Sequence, residues 1–184
     1  MKLKLLIFFF AVINTIEAQK FYAHWDNGVS GIEIFQSYKN LYAYKIGFGV
    51  EKDFLKILNI GTEVNFFKSG FSFQIFKNYI GYANIPIYLK VNIFKWFGLF
   101  FGYSNKIFIF QDINQLSLNE RIFTFDLYSN KRFVFDYYLG PEFKIYKKIY
   151  LSFYYFNDLT EYYAFNQDSK KMFGGLISLK YQIN

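Results

Sequence analysis

At 184 residues the chain suits a single domain, and it is 26% aromatic, with 27 Phe and 18 Tyr. Mean hydropathy is nevertheless only +0.08, so oily and polar side chains are mixed residue by residue rather than gathered into blocks. The absence of cysteine excludes disulfides, thiol chemistry and lipid attachment at a processed Cys. The lysines behind the formal charge of +7 fall along the expected strands and turns rather than in one basic block of sequence, which argues against nucleic acid as a partner. Even the most apolar region, Ile93 to Tyr103, is broken by Lys95 and two glycines, so no helical membrane span is expected.

Residues 1–18 read as a secretory signal peptide. Lys2 and Lys4 precede the apolar run Leu5 to Ile13, and Ile16-Glu17-Ala18 forms a small-residue cleavage site, so the mature chain is expected to begin at Gln19. The alternative, an uncleaved anchor, fails on length, because a spanning helix needs about 20 apolar residues. A weak first strand is expected over Gly28 to Gln36, where Ile32 and Ile34 flank Glu33. After a turn at Lys39-Asn40, Tyr42, Tyr44, Ile46, Phe48 and Val50 alternate with Ala43, Lys45, Gly47, Gly49 and Glu51 in a second strand over Leu41 to Lys52. Period-2 alternation of this kind gives a strand one oily and one polar face.

Beyond a hinge at Asp53 to Lys56, Leu58 to Phe66 forms the third strand, with Glu63 on its polar track. The fourth is the cleanest: Ala83, Ile85, Ile87, Leu89, Val91 and Ile93 alternate with Asn84, Pro86, Tyr88, Lys90 and Asn92. Strands follow over Phe97 to Ser104, Phe133 to Ile145, Ile149 to Tyr155 and Phe173 to Ile183. Short hinges near 53–56, 94–96 and 146–148 alternate with longer links at about 67–79, 106–131 and 158–171, plus a brief one at 37–40. The expected fold class is therefore all-β: an eight-stranded antiparallel up-and-down transmembrane β-barrel over residues 19–184, with periplasmic turns and termini and outward-reaching loops. Pro86 and Pro141 are expected to mark bulges, because proline removes a ladder bond.

Energetics orient the sheet. Glu33, Lys45, Glu51, Glu63, Lys90, Lys106, Asp136, Glu142, Lys144 and Lys180 all fall on the polar track. A lysine at the bilayer midplane costs about 2–4 kcal/mol and acids somewhat less, so these side chains are expected to face the lumen as a charge network. Five acids against five bases imply paired charges filling a narrow barrel. A proton or ion path along them is the alternative. His24, the only histidine, lies ahead of the first expected strand and reads as a bystander. No cofactor, metal site or catalytic triad is expected; Glu63, Asp136 and Glu142 could serve as an acid/base pair, but a charge-filled lumen explains them more simply.

Tyr82-Ala83-Asn84-Ile85-Pro86-Ile87-Tyr88-Leu89-Lys90 resembles the Tyr-x-x-Ile-Pro-Leu-x-Leu-Lys stretch of the PorT-like outer membrane β-barrel family, and Gly98, Gly102 and Gly140-Pro141-Glu142 resemble its glycine-bearing strands. The resemblance covers about residues 28–184 and implies an OmpA/OmpX-type barrel in the bacterial outer membrane. It also implies an association with protein secretion, although no secretion-specific motif is present. The chain departs from the family pattern in a glycine-poor opening strand and in ending on Asn184 rather than an aromatic residue. The expected function is non-enzymatic: a barrel displaying loops for envelope structure, attachment or secretion, with outer membrane lipid and envelope or secretion-system proteins as partners. The alternatives are a small pore or transporter, and a soluble secreted barrel with an apolar ligand inside.

Overall fold

The computed structural model describes residues 19–32, 38–73, 76–115, 133–160, 162–163 and 169–184. The expected signal peptide and Glu33 lie outside the described residues. The strands are β1 (Gln19–Ile32), β2 (Tyr38–Leu55), β3 (Leu58–Phe73), β4 (Phe76–Phe94), β5 (Phe97–Gln115), β6 (Phe133–Tyr146), β7 (Ile149–Asp158), the short pair β8 (Tyr162–Tyr163) and β9 (Ser169–Lys170), and β10 (Met172–Gln182). Eight of them close an antiparallel barrel in the order β1-β10-β7-β6-β5-β4-β3-β2, while β8 and β9 pair separately in the link before β10. The closing seam runs from Tyr22 opposite Gln182 to Ile32 opposite Met172.

Alternation decides which track meets water or lipid. Outward stand Phe48 and Val64, 68% and 66% exposed, with Ile46, Leu89, Phe101, Leu139, Ile177 and Leu179 on the same surface. The intervening residues point inward and, away from the rims, are mostly buried, polar ones included. A soluble barrel with its oily track inside would require the reverse. An apolar girdle on this scale is not a soluble protein's surface.

Strand lengths are unequal. The 10 residues of β7 rise ~23 Å at ~3.3 Å per residue and ~45° tilt, close to the ~25 Å apolar band of a membrane barrel. β4 and β5, with 19 residues each, rise ~44 Å and stand well above it. This height corrects two expected links. Residues 67–73 belong to β3 and 76–79 to β4, so the link there shrinks to 74–75, and β5 continues through 106–115. The remainder of the longest link, 116–132, lies outside the described residues.

The opening strand is also displaced: β1 begins at Gln19, nine residues before Gly28, and pairs with β2 along its length. Lys39 and Asn40 belong to β2 rather than to a turn, with an irregularity between Asn40 and Tyr44. Neither proline makes a bulge. Register is unchanged on both sides of Pro86 and Pro141, and the ladders are merely interrupted toward β3 and β7 respectively. Thr62 Oγ1 donates to the Pro86 carbonyl oxygen at 2.9 Å across the first gap. In the second, Gly140 lets β6 and β7 approach so closely that a Cβ there would lie 1.9 Å from the Phe153 carbonyl oxygen. Irregularities fall instead between Asn40 and Tyr44, at Gly81/Tyr82 between β4 and β5, and at the short turns.

Candidate functional site: a packed ionic lumen

Three tiers of charge stack along the barrel interior. Nearest the short turns, Lys90 from β4 donates to Glu142 Oε1 at 2.9 Å and to Glu51 of β2. Tyr88 OH donates to Glu51 Oε1 at 2.8 Å, and Ser152 Oγ to Glu142 Oε2 at 3.2 Å. Lys180 of β10 lies 3.1 Å from Glu142 and 3.6 Å from Glu63, so it links this tier to the next. In the middle tier Lys45 Nζ is 3.0 Å from Asp26 and 3.4 Å from Glu63.

His24 sits in this middle tier, not ahead of the barrel. Its Nδ1 is 3.0 Å from Asp26 Oδ1 and its Nε2 is 2.8 Å from Asn65 Oδ1. Asn65 Nδ2 in turn donates to Glu63 Oε2 at 3.3 Å, which orients the amide. Histidine and Asp26 are both buried because β1 starts early and places them on the inward track with Tyr22.

The upper tier is a single lysine between two acids. Lys106 Nζ stands 2.7 Å from Asp136 Oδ2 and 2.6 Å from Asp158 Oδ1. Three rings surround the same nitrogen, with centroids at 4.9 Å (Phe67), 5.6 Å (Tyr82) and 4.9 Å (Phe156). The ammonium is fully buried. Above it Phe71, Ile80, Val134 and Met172 fill the lumen with apolar side chains.

Of the ten residues expected to line the lumen, Lys45, Glu51, Glu63, Lys90, Lys106, Asp136, Glu142 and Lys180 are buried there. Glu33 lies outside the described residues, and Lys144 differs. Although it shares an inward register with Glu142, it is exposed at the rim, beside the turn at 147–148, where the barrel ends and water reaches it. Asp26, Asp158 and His24 join the set instead. Among the described residues the buried charges are thus four lysines and six carboxylates, with His24 beside them, rather than five of each sign.

Two small cavities of ≈ 10 Å³ each lie between the tiers, sharing Lys45, Tyr138 and Tyr154 in their walls. That volume holds about one water. Glu63, Asp136 and Glu142 each face a lysine ammonium at 3.6 Å or less, and these cavities are too small to bring a substrate to them.

The sequence matches no known family model and no curated protein. Solved structures do match. Neisserial surface protein A aligns with a TM-score of 0.56 at 6% identity, over 91% of this chain and 100% of that one. This chain has the fold of outer-membrane β-barrels. The attachment invasion locus protein Ail of Yersinia pestis aligns at 0.50 and 9% identity, over 91% of this chain and 100% of that one. A de novo designed transmembrane β-barrel also reaches 0.50, at 5% identity, over 91% of this chain and 98% of that one. At such identities the barrel architecture is shared and nothing finer.

Proposed function

We propose that this protein is an integral barrel of the bacterial outer membrane, exported by a cleaved signal peptide. It is non-enzymatic and non-conducting, and it acts by presenting its loop end to envelope or secretion-system proteins. The observation that carries this reading is the lumen: salt-bridged tiers with room for single waters, sealed above Lys106 by Phe71, Ile80, Val134 and Met172. A hydrated ion has no room in such an interior. The fold itself supports membrane residence, because the exposed girdle of Ile46, Phe48, Val64 and their neighbours needs acyl chains around it.

A PorT-like identity is the finer form of this proposal. It rests on the β4 stretch Tyr82 to Lys90, in which Tyr82, Asn84, Pro86, Tyr88 and Lys90 are buried inward while Ile85, Ile87 and Leu89 are exposed outward. The test has two parts. Purified protein in planar bilayers should give no unitary conductance, and steady ion current would overturn the non-conducting reading. In cells, surface crosslinking should recover a partner that is lost when residues 117–131 are deleted while heat-modifiable gel migration persists; an unchanged crosslinking pattern would overturn the loop-display reading.

A further inference from the structure

One end of the barrel is markedly basic. At the end bearing the short turns, Lys20 and Asp53 neutralise one another at 2.7 Å. Six more lysines lie at that end, Lys52, Lys56, Lys95, Lys144, Lys147 and Lys148, and Asp53 is the one exposed acid there among the described residues.

Each turn repeats one arrangement, a lysine beside exposed apolar side chains. Lys56 lies between Leu55 and Ile57, Lys95 between Phe94 and Trp96, and Lys147 follows Tyr146. The Phe94 and Trp96 rings stack at 5.7 Å, Trp96 stacks on Phe143 at 6.3 Å, and Lys147 Nζ stands 5.9 Å from the Tyr146 ring centroid. Lys52 continues the outward track of Phe48 and Val50. The ammonium groups therefore sit where the apolar girdle stops. Long lysine stems bury along apolar surface and carry their charge to the interface.

We propose that this end binds the phosphates of anionic phospholipid headgroups through a ring of lysines. The inference rests on the membrane reading above. Lipid is favoured over a protein partner because the cations occur on all three turns and on β2, encircling the barrel, and because their apolar neighbours are continuous with the girdle. A docked protein would engage one sector. Lysines near an anionic surface each contribute a severalfold preference.

The chain has two tryptophans, so a Trp25→Phe background leaves Trp96 on its turn as the reporter. The protein is folded into vesicles carrying brominated phosphatidylglycerol or brominated phosphatidylcholine at equal mole fraction, and quenching is compared. Phosphatidylglycerol should quench Trp96 at an about threefold lower mole fraction. The preference should shrink at 0.5 M salt, and it should vanish in the quadruple Lys56→Gln, Lys95→Gln, Lys147→Gln, Lys148→Gln variant, whose exposed sites leave heat-modifiable folding intact. Equal quenching by the two lipids in the parent, or a preference that survives the quadruple change, overturns the inference. Relief of quenching by inorganic phosphate at matched ionic strength would identify a free-anion site and overturn the lipid assignment. Failure of either lipid to quench would instead refute membrane insertion itself.

Discussion

Replacing Lys106 by methionine isolates what the ionic lumen contributes. The ammonium is fully buried between Asp136 and Asp158, themselves 4% and 0% exposed, and is ringed by Phe67, Tyr82 and Phe156. Methionine preserves the volume but removes the cation from between two carboxylates in a low-dielectric interior. Breaking a buried pair by removing one partner costs about 3–5 kcal/mol, a large share of a typical 5–15 kcal/mol stability. Urea titration of the barrel in lipid vesicles, followed by tryptophan fluorescence and gel mobility, should register that loss. The triple change Lys106→Met, Asp136→Asn, Asp158→Asn removes all three charges and should recover most of it. Lys20→Ala breaks a half-exposed pair at the rim and should cost no more than about 1 kcal/mol. If Lys106→Met proves as mild as Lys20→Ala, the lumen is solvated and the packed-interior reasoning fails.

Three further outcomes are expected. Val64→Lys, on the outer face midway up the girdle, should destabilise the vesicle-folded barrel by about 2–4 kcal/mol, whereas Ile93→Lys beside a turn should cost about 0–1 kcal/mol; equal costs would show that the girdle is not immersed. Gly140→Ala places a methyl group 1.9 Å from the Phe153 carbonyl oxygen, so the folded, fast-migrating gel form should be lost, and normal migration would contradict the close β6–β7 approach. His24→Ala removes the group that meets Asp26 and Asn65; a loss of about 1–3 kcal/mol is expected, and an unchanged urea midpoint would return this residue to a bystander.

The alternating tracks of β2, β4, β6 and β10 were legible because an exposed apolar girdle on one side and packed charge on the other enforce opposite chemistry at every step. That rule holds only along the apolar girdle. Above it, in β3 and β4, the inward residues Phe67, Phe71 and Ile80 are apolar and buried, while outward Lys68 rests its ammonium 4.8 Å from the Tyr79 ring. Polarity is inverted there, and the same segment therefore read as a loop. The β1 pattern is blurred for another reason: Tyr22 points inward and Asn27 outward, so neither track is chemically pure. With β1 misplaced, Asp26 and His24 were missed, and Asp158 was assigned to a link rather than to the last position of β7. Lys144 shows the opposite error, a residue of the right register that lies past the end of the dry interior.

The seam between β1 and β10 joins the first and last barrel strands in chain order. Phe21 N donates to Asn184 Oδ1 at 2.9 Å across 163 positions of sequence. Bringing such distant segments together carries a loop-closure entropy of roughly 4–5 kcal/mol, and until they meet, both strands present bare backbone donors and acceptors that hydrocarbon cannot satisfy. In the membrane setting proposed above, assembly would then be nearly all-or-none, because a half-zipped sheet inside a bilayer leaves both margins unsatisfied until the circle is complete.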